Sequence, residues 1–184
     1  MLNRHIRALS ERLVQGEPLT HNMLSWAKQH VEWSLAEGDY TARDGVLMLV
    51  IDINGNAAMT VGEYEPLADT SAKALRARSA EARSEADETG VAPELLAAVN
   101  NGELAFVAPA DECLCGTATL IEQLAQTKGI PVTRVDIPAQ LKGALFLVSD
   151  EHGVVPATET DAAEADAATV AFFADGYEKL RARR

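Results

Sequence analysis

GTATLIEQLAQTKGIPVTRVDIPAQLKGALFLV, from Gly116 to Val148, decides the fold class of this chain. Leu120, Ile121 and Leu124 recur at helical spacing after Gly116-Thr117, and Gly129 ends that helix. Val132 to Ile137 then reads as a strand, a short helical stretch carries Leu141, and Ala144-Leu-Phe-Leu-Val148 reads as a buried strand. Helices and strands that alternate on this scale predict a mixed α/β chain.

The flanks extend the pattern. Downstream, Glu151-His152-Gly153 is a turn, Val154-Val155-Pro156 a short extended segment, and a closing helix carries Val170, Phe172, Phe173, Tyr177 and Leu180. Upstream, Leu104 to Val107 is a strand entered through the turn signal Asn100-Asn101-Gly102. Pro93 to Val99 suits either a helix or a buried strand. Residues 69 to 89 are rich in Ala, Arg and Glu, end at Gly90, and offer Leu75 as their one large apolar residue, so this helix should pack shallowly. Near the start, Ile6, Leu9 and Leu13 predict a helix from Asn3 to Val14, ended by Gly16-Glu17-Pro18. Thr20 then caps a second helix to about Glu37, with Met23, Trp26, Ala27, Val31 and Leu35 as its apolar stripe and Gly38-Asp39 as its close. Gly45 to Ile51 reads as a buried strand, returned through Asn54-Gly55-Asn56 by Ala57 to Val61 as a hairpin. The expected organisation is two small lobes, residues 1–66 and 67–184, with any ligand site between them and no internal repeat.

Composition excludes some partners. Sixteen Lys and Arg against twenty-eight Asp and Glu give a formal net charge of −12. Such a chain is repelled by phosphodiester backbones and anionic membranes, so neither nucleic acid nor a membrane is expected as a partner. The polar opening shows no signal peptide, and no apolar run approaches the length of a membrane span. Cys113 and Cys115, one residue apart, cannot staple distant parts of the fold; a reduced, cytoplasmic protein is the expectation. Their spacing lacks the pairing of a zinc site, and no metal is expected. The acids between residues 150 and 178, with no Lys or Arg among them, read as a solvated face.

The sequence has no P-loop, G-x-G-x-x-G, G-x-S-x-G or H-E-x-x-H motif. Cys115-Gly116-Thr117-Ala118-Thr119 puts glycine and hydroxyl residues at a helix start, where N–H groups and the helix dipole suit a phosphate. The same residues also make an ordinary helix cap. Lys73 reads from composition as one more charge on a solvated helix.

In their order along the chain, several segments resemble the class IV aminotransferase family of pyridoxal-phosphate enzymes, and most of all its aminodeoxychorismate lyase branch. They are His5-Ile-Arg-Ala-Leu9, Asp44 to Val50, Ser71-Ala-Lys73-Ala-Leu-Arg, Pro93 to Val99, Asn101 to Pro109, Leu114-Cys-Gly-Thr-Ala-Thr119 and Leu145 to Pro156. The resemblance implies a shortened class IV fold, pyridoxal 5′-phosphate as cofactor and Lys73 as the catalytic Schiff-base lysine. It also implies Gly116, Thr117, Ala118 and Ser149 around the cofactor phosphate, a small-molecule amino substrate and a homodimer. By the same comparison the family's phosphate-binding Arg falls at Ala8, and the Arg after Gly-Ile-Thr falls at Thr119. The Glu paired with the pyridine nitrogen belongs to a family hairpin for which the segment between Val99 and Gly102 is too short; the alternative placement puts it at Phe106. The rival reading is a degenerate, non-catalytic relative serving as a binding or interaction protein.

Overall fold

The computed structural model describes residues 1–37, 45–52, 54, 56–136, 138, 141–159 and 161–182. The expected helix close at Gly38-Asp39, Asp44, Gly55 and Ile137 lie outside them. The chain divides into two compact units, residues 2–66 and 67–184. Among the described residues no helix is long and apolar enough to cross a membrane.

In the first unit, helix α1 (Leu2–Ser10) is shorter than its periodicity predicted. Gln15 and Gly16 both take positive φ, 52° and 84°, the conformation of a tight hairpin turn. That turn pairs β1 (Leu13–Val14) with β2 (Glu17–Pro18) and takes Leu13 out of the helix. Helix α2 (His21–Glu37) starts where expected, with the Thr20 hydroxyl accepting from the Met23 amide at 3.3 Å. Of its predicted stripe only Ala27 and Val31 are buried; Trp26 and Leu35 are exposed. Strands β3 (Gly45–Ile51) and β4 (Ala57–Glu63) form the expected antiparallel hairpin, Met48 opposite Thr60. No residue of β3 is buried, against the expectation of a core strand. Among the described residues its sheet has two strands, too few to bury an apolar face on their own.

The second unit holds the core. Helix α3 (Ala72–Thr89) is capped by the Ser71 hydroxyl on the Ala74 amide and closed by Gly90 in the left-handed region. The ambiguous segment is strand β5 (Leu95–Asn100), buried at five of six positions. It is followed by β6 (Glu103–Val107), α4 (Gly116–Thr127), β7 (Val132–Val135), β8 (Ala144–Ser149), β9 (Gly153–Pro156) and α5 (Glu164–Arg181). The sheet order is β7-β6-β5-β8-β9, antiparallel except for β6 beside β7. That one parallel pair needs a crossover, and α4 supplies it. Leu141 is buried but stands outside any helix; positions 137, 139 and 140 beside it are among those not described.

Alternation along β5 and β8 divides the core between the two sheet faces. Leu95, Ala97, Val99, Phe106, Phe146 and Val148 face α4 and α5, meeting Ala118, Ile121, Val170 and Phe173. Leu96, Ala98, Leu145 and Leu147 face the other way, onto Leu75 of α3. Helix α3 and helix α4 therefore lie on opposite faces. Closeness on the α5 side is severe at Gly153, where a Cβ would stand 2.2 Å from Tyr177 Cε1.

Helix α3 buries little besides Leu75 and Ala82, as its composition predicted. Polar clamps hold it instead. Arg76 donates to the carbonyls of Pro138 and Leu141, Arg83 to Val107, and the Ser79 hydroxyl bridges the carbonyl of Glu94 and the amide of Leu96.

Candidate functional site

The start of α4 gathers the predicted phosphate residues. Gly116, Thr117 and Ala118 are all buried, and Cys115 is the N-cap with extended backbone. A helix start leaves its first amides without helical partners, so each must find one elsewhere. The Gly116 amide donates to Asp150 Oδ2 at 3.2 Å and the Thr117 amide to Asp150 Oδ1 at 2.7 Å. The Ala118 amide donates to Cys115 Sγ at 3.4 Å. A carboxylate of the chain itself thus holds the place that the sequence assigned to a phosphate.

Strand pairing explains how Asp150 arrives there. Ser149 ends β8 opposite Gly153 of β9, and its hydroxyl accepts from the His152 amide at 2.8 Å, closing the turn between them. Asp150 is the first residue of that turn, an exposed residue whose carboxylate reaches the dipole end of α4. Ser149 is buried, and its hydroxyl is engaged in its own turn. The Thr117 hydroxyl is fully buried with no hydrogen-bond partner among the described residues. Burial, with the Asp150 charge second, pushes the Cys115 thiol well above its ordinary range. A helix start often lowers a thiol pKa; here desolvation and the carboxylate win.

Lys73 is not part of this cluster. It is an exposed residue in the first turn of α3, with Asp69 as its charged neighbour. The start of α3 lies at the end of the sheet where β8 begins: Ala72 and Arg76 line a cavity of about 500 Å³ with Asn100, Lys142, Gly143 and Asp166. Gly116 and Thr117 bond Asp150, at the end where β8 finishes. The length of β8 separates these ends, about 17 Å at ~3.4 Å per residue, and the two helices use opposite faces. Phe106 and Ala8, the positions matched to the family's Glu and Arg, are also settled. Phe106 is fully buried in the core and Ala8 is buried on α1. The Thr119 hydroxyl donates to the Gly116 carbonyl at 2.8 Å.

Two acidic residues have roles that the charge pattern concealed. Asp166, expected on a solvated face, is 4% exposed. Its two oxygens accept from the amides of Asn101 and Gly102, each at 2.9 Å, and so hold the β5–β6 turn from the first turn of α5. Asp150 is the other. A carboxylate one residue after a buried strand, more than thirty residues past the helix start it bonds, leaves no local signal.

A third cluster brings Glu94, Glu151 and His152 within 4.8 Å of one another, a geometry open to a metal ion. Arg78 already occupies it, donating to both oxygens of the buried Glu94 at 2.9 and 3.2 Å. That pairing raises the Arg78 pKa further and leaves little unsatisfied charge for a cation.

No protein-family profile matches the chain, and no curated protein matches it. Solved structures do. A branched-chain aminotransferase from the archaeon Thermoproteus uzoniensis, solved with norvaline, is 14% identical over 97% of this chain and 77% of its own, with a TM-score of 0.53. A fold IV transaminase from Curtobacterium pusillum is 15% identical over 100% of this chain and 79% of its own, with a TM-score of 0.52. An aminotransferase from Brucella abortus, bound to pyridoxal phosphate, is 13% identical over 96% and 84%, with a TM-score of 0.51. The chain has the mixed α/β fold of the class IV aminotransferases, in a shortened form. At these identities the likeness is one of fold.

Proposed function

We propose that this chain is an aminotransferase-like protein that takes a small amino-group substrate and uses pyridoxal phosphate as cofactor. The phosphate would sit on the amides of Gly116, Thr117 and Ala118, beside Ser149. The observation that carries this reading is the start of α4, where two backbone N–H groups converge on a carboxylate at 2.7 and 3.2 Å. These donors suit an anion, and the buried Thr117 hydroxyl has no hydrogen-bond partner among the described residues. The phosphate end of the cofactor fits them once Asp150 turns outward, and Asp150 is an exposed residue with solvent to turn into. When bound, this cofactor supplies an electron sink for the carbon bearing the substrate's amine. The chain's part is to fix the phosphate with oriented dipoles and to keep water from beneath it by burying residues 116–118.

Lys73 is the lysine proposed to attach the cofactor, and a lyase of the aminodeoxychorismate type is the finer assignment; both rest on the resemblance of sequence. The homodimer belongs to the same proposal, and light scattering tests it. A second reading, the non-catalytic relative, draws on Asp150 on the helix start, Phe106 buried where a carboxylate is expected, and Lys73 at the far end of the sheet.

One experiment separates the two readings. The purified protein is titrated with pyridoxal phosphate, followed by absorbance, then reduced with borohydride and mapped by peptide mass. Saturable binding with adduct at Lys73 supports the enzyme, and Lys73→Ala then abolishes the adduct. Saturable binding without adduct supports the non-catalytic relative. No binding at millimolar cofactor overturns the first reading.

A further inference from the structure

We infer that Asp150 is a built-in competitor for the anion seat of α4, an autoinhibitory contact that any phosphate ligand must displace. This rests on the proposed reading of that seat. Both of the first two amides of α4 are spent on the Asp150 carboxylate, one oxygen each, so no donor of that pair is left for an incoming phosphate. A phosphate oxygen that arrived with Asp150 in place would meet a carboxylate and not an N–H, and like charges at contact distance repel.

The Cys115 thiol reports the same field: its ionisation is opposed by burial first and then by Asp150. The contact is nevertheless displaceable. Asp150 is an exposed residue on a hairpin turn, and the turn keeps its own hydrogen bond, Ser149 Oγ to the His152 amide at 2.8 Å, whichever way Asp150 points. Turning the carboxylate into water frees the Gly116 and Thr117 amides without disturbing β8 or β9. The fully buried Thr117 hydroxyl, which has no partner among the described residues, is a further donor beside the vacated place.

Two variants test the inference on the full-length protein. Asp150→Asn removes the charge and keeps the shape; Asp150→Ala removes the acceptor and guards against an Asn that still occupies the amides. Affinities for inorganic phosphate and for pyridoxal phosphate are measured by calorimetry at fixed ionic strength, with pyridoxal, which lacks the phosphate, as control. Both variants should bind the two phosphate compounds at least about tenfold more tightly than the wild-type chain, the range set by charge-assisted hydrogen bonds. Pyridoxal affinity should not move. If the wild-type chain binds pyridoxal phosphate and neither variant binds it more tightly, Asp150 is only a helix cap and the inference fails while the proposed function stands. If neither wild type nor variants bind either phosphate compound, the seat itself is refuted and both fall. Binding by the variants alone supports the competitor and assigns the wild-type chain to the non-catalytic reading.

Discussion

Replacing Asp166 by alanine removes both acceptors that hold the β5–β6 turn. The two bonds are each 2.9 Å long and their carboxylate is 4% exposed, so each is a charge-assisted bond made largely out of water. Such bonds contribute roughly 1.5–3 kcal/mol apiece. Asp166 also lines the cavity of about 500 Å³ at this end of the sheet, so water can reach the freed amides of Asn101 and Gly102. The lower end of the range therefore applies to each bond, and the loss should be about 3 kcal/mol. Asp166→Asn keeps one acceptor and should lose about half as much. With a urea m-value of about 2 kcal/mol/M, the unfolding midpoint of the unit containing β5 should fall by about 1.5 M for alanine and about 0.7 M for asparagine. Urea titrations followed by far-ultraviolet circular dichroism measure this. A loss below about 0.5 kcal/mol for alanine, or equal losses for both variants, would refute the assignment of the turn to Asp166.

Other outcomes follow from single contacts. Gly153→Ala forces a side chain into the left-handed region at φ 72° and sets its Cβ 2.2 Å from the Tyr177 ring; a loss of about 3 kcal/mol or more is expected in thermal unfolding. A native-state reaction with a thiol reagent should modify Cys113, which is partly exposed, and spare the buried Cys115 until the protein unfolds. Asp69 accepts from the Ser71 amide at 2.7 Å, and this bond, with the Ser71 side chain second, depresses its pKa. A depressed carboxylate contributes above its unfolded value and loses that contribution as pH falls through the folded one, so the Ser71 amide resonance should titrate with a midpoint below the usual ~3.9 of aspartate. Asp69→Asn should abolish that titration.

Periodicity made the second half of the chain readable because its elements are buried. β8, with all six positions buried, left a continuous apolar run, and Asn101-Gly102 spelled its turn type directly. The same signal misled at β3, where a run of the same appearance lies in a two-stranded sheet and stays partly exposed. An apolar run states what a segment can bury, and the number of neighbouring strands decides what it does bury. The helix-start residues Gly116 and Thr117 could be read as N–H donors for an anion or as an ordinary cap, because glycine and hydroxyls at that place have a local geometric meaning. Their partner was not. Asp150 stands more than thirty residues away in sequence, and only the pairing of β8 with β9 carries it to α4. Asp166 was hidden for the same reason, its role lying at a turn sixty-five residues away.

The arginine clamps along α3 bear on how the chain comes apart. A helix held by two buried side chains and a row of guanidinium contacts leans less on the hydrophobic effect than α4 or α5 do. Concentrated salt and guanidinium chloride, which screen or compete with those contacts, should release it before urea at equal strength does. Once it lifts, Leu96, Ala98, Leu145 and Leu147 form a bare stripe across the middle of the sheet. A stripe of that kind, opened while the rest of the unit remains folded, is what sticky partly unfolded species present to one another. The route to precipitation in this protein thus runs through its most hydrophilic helix.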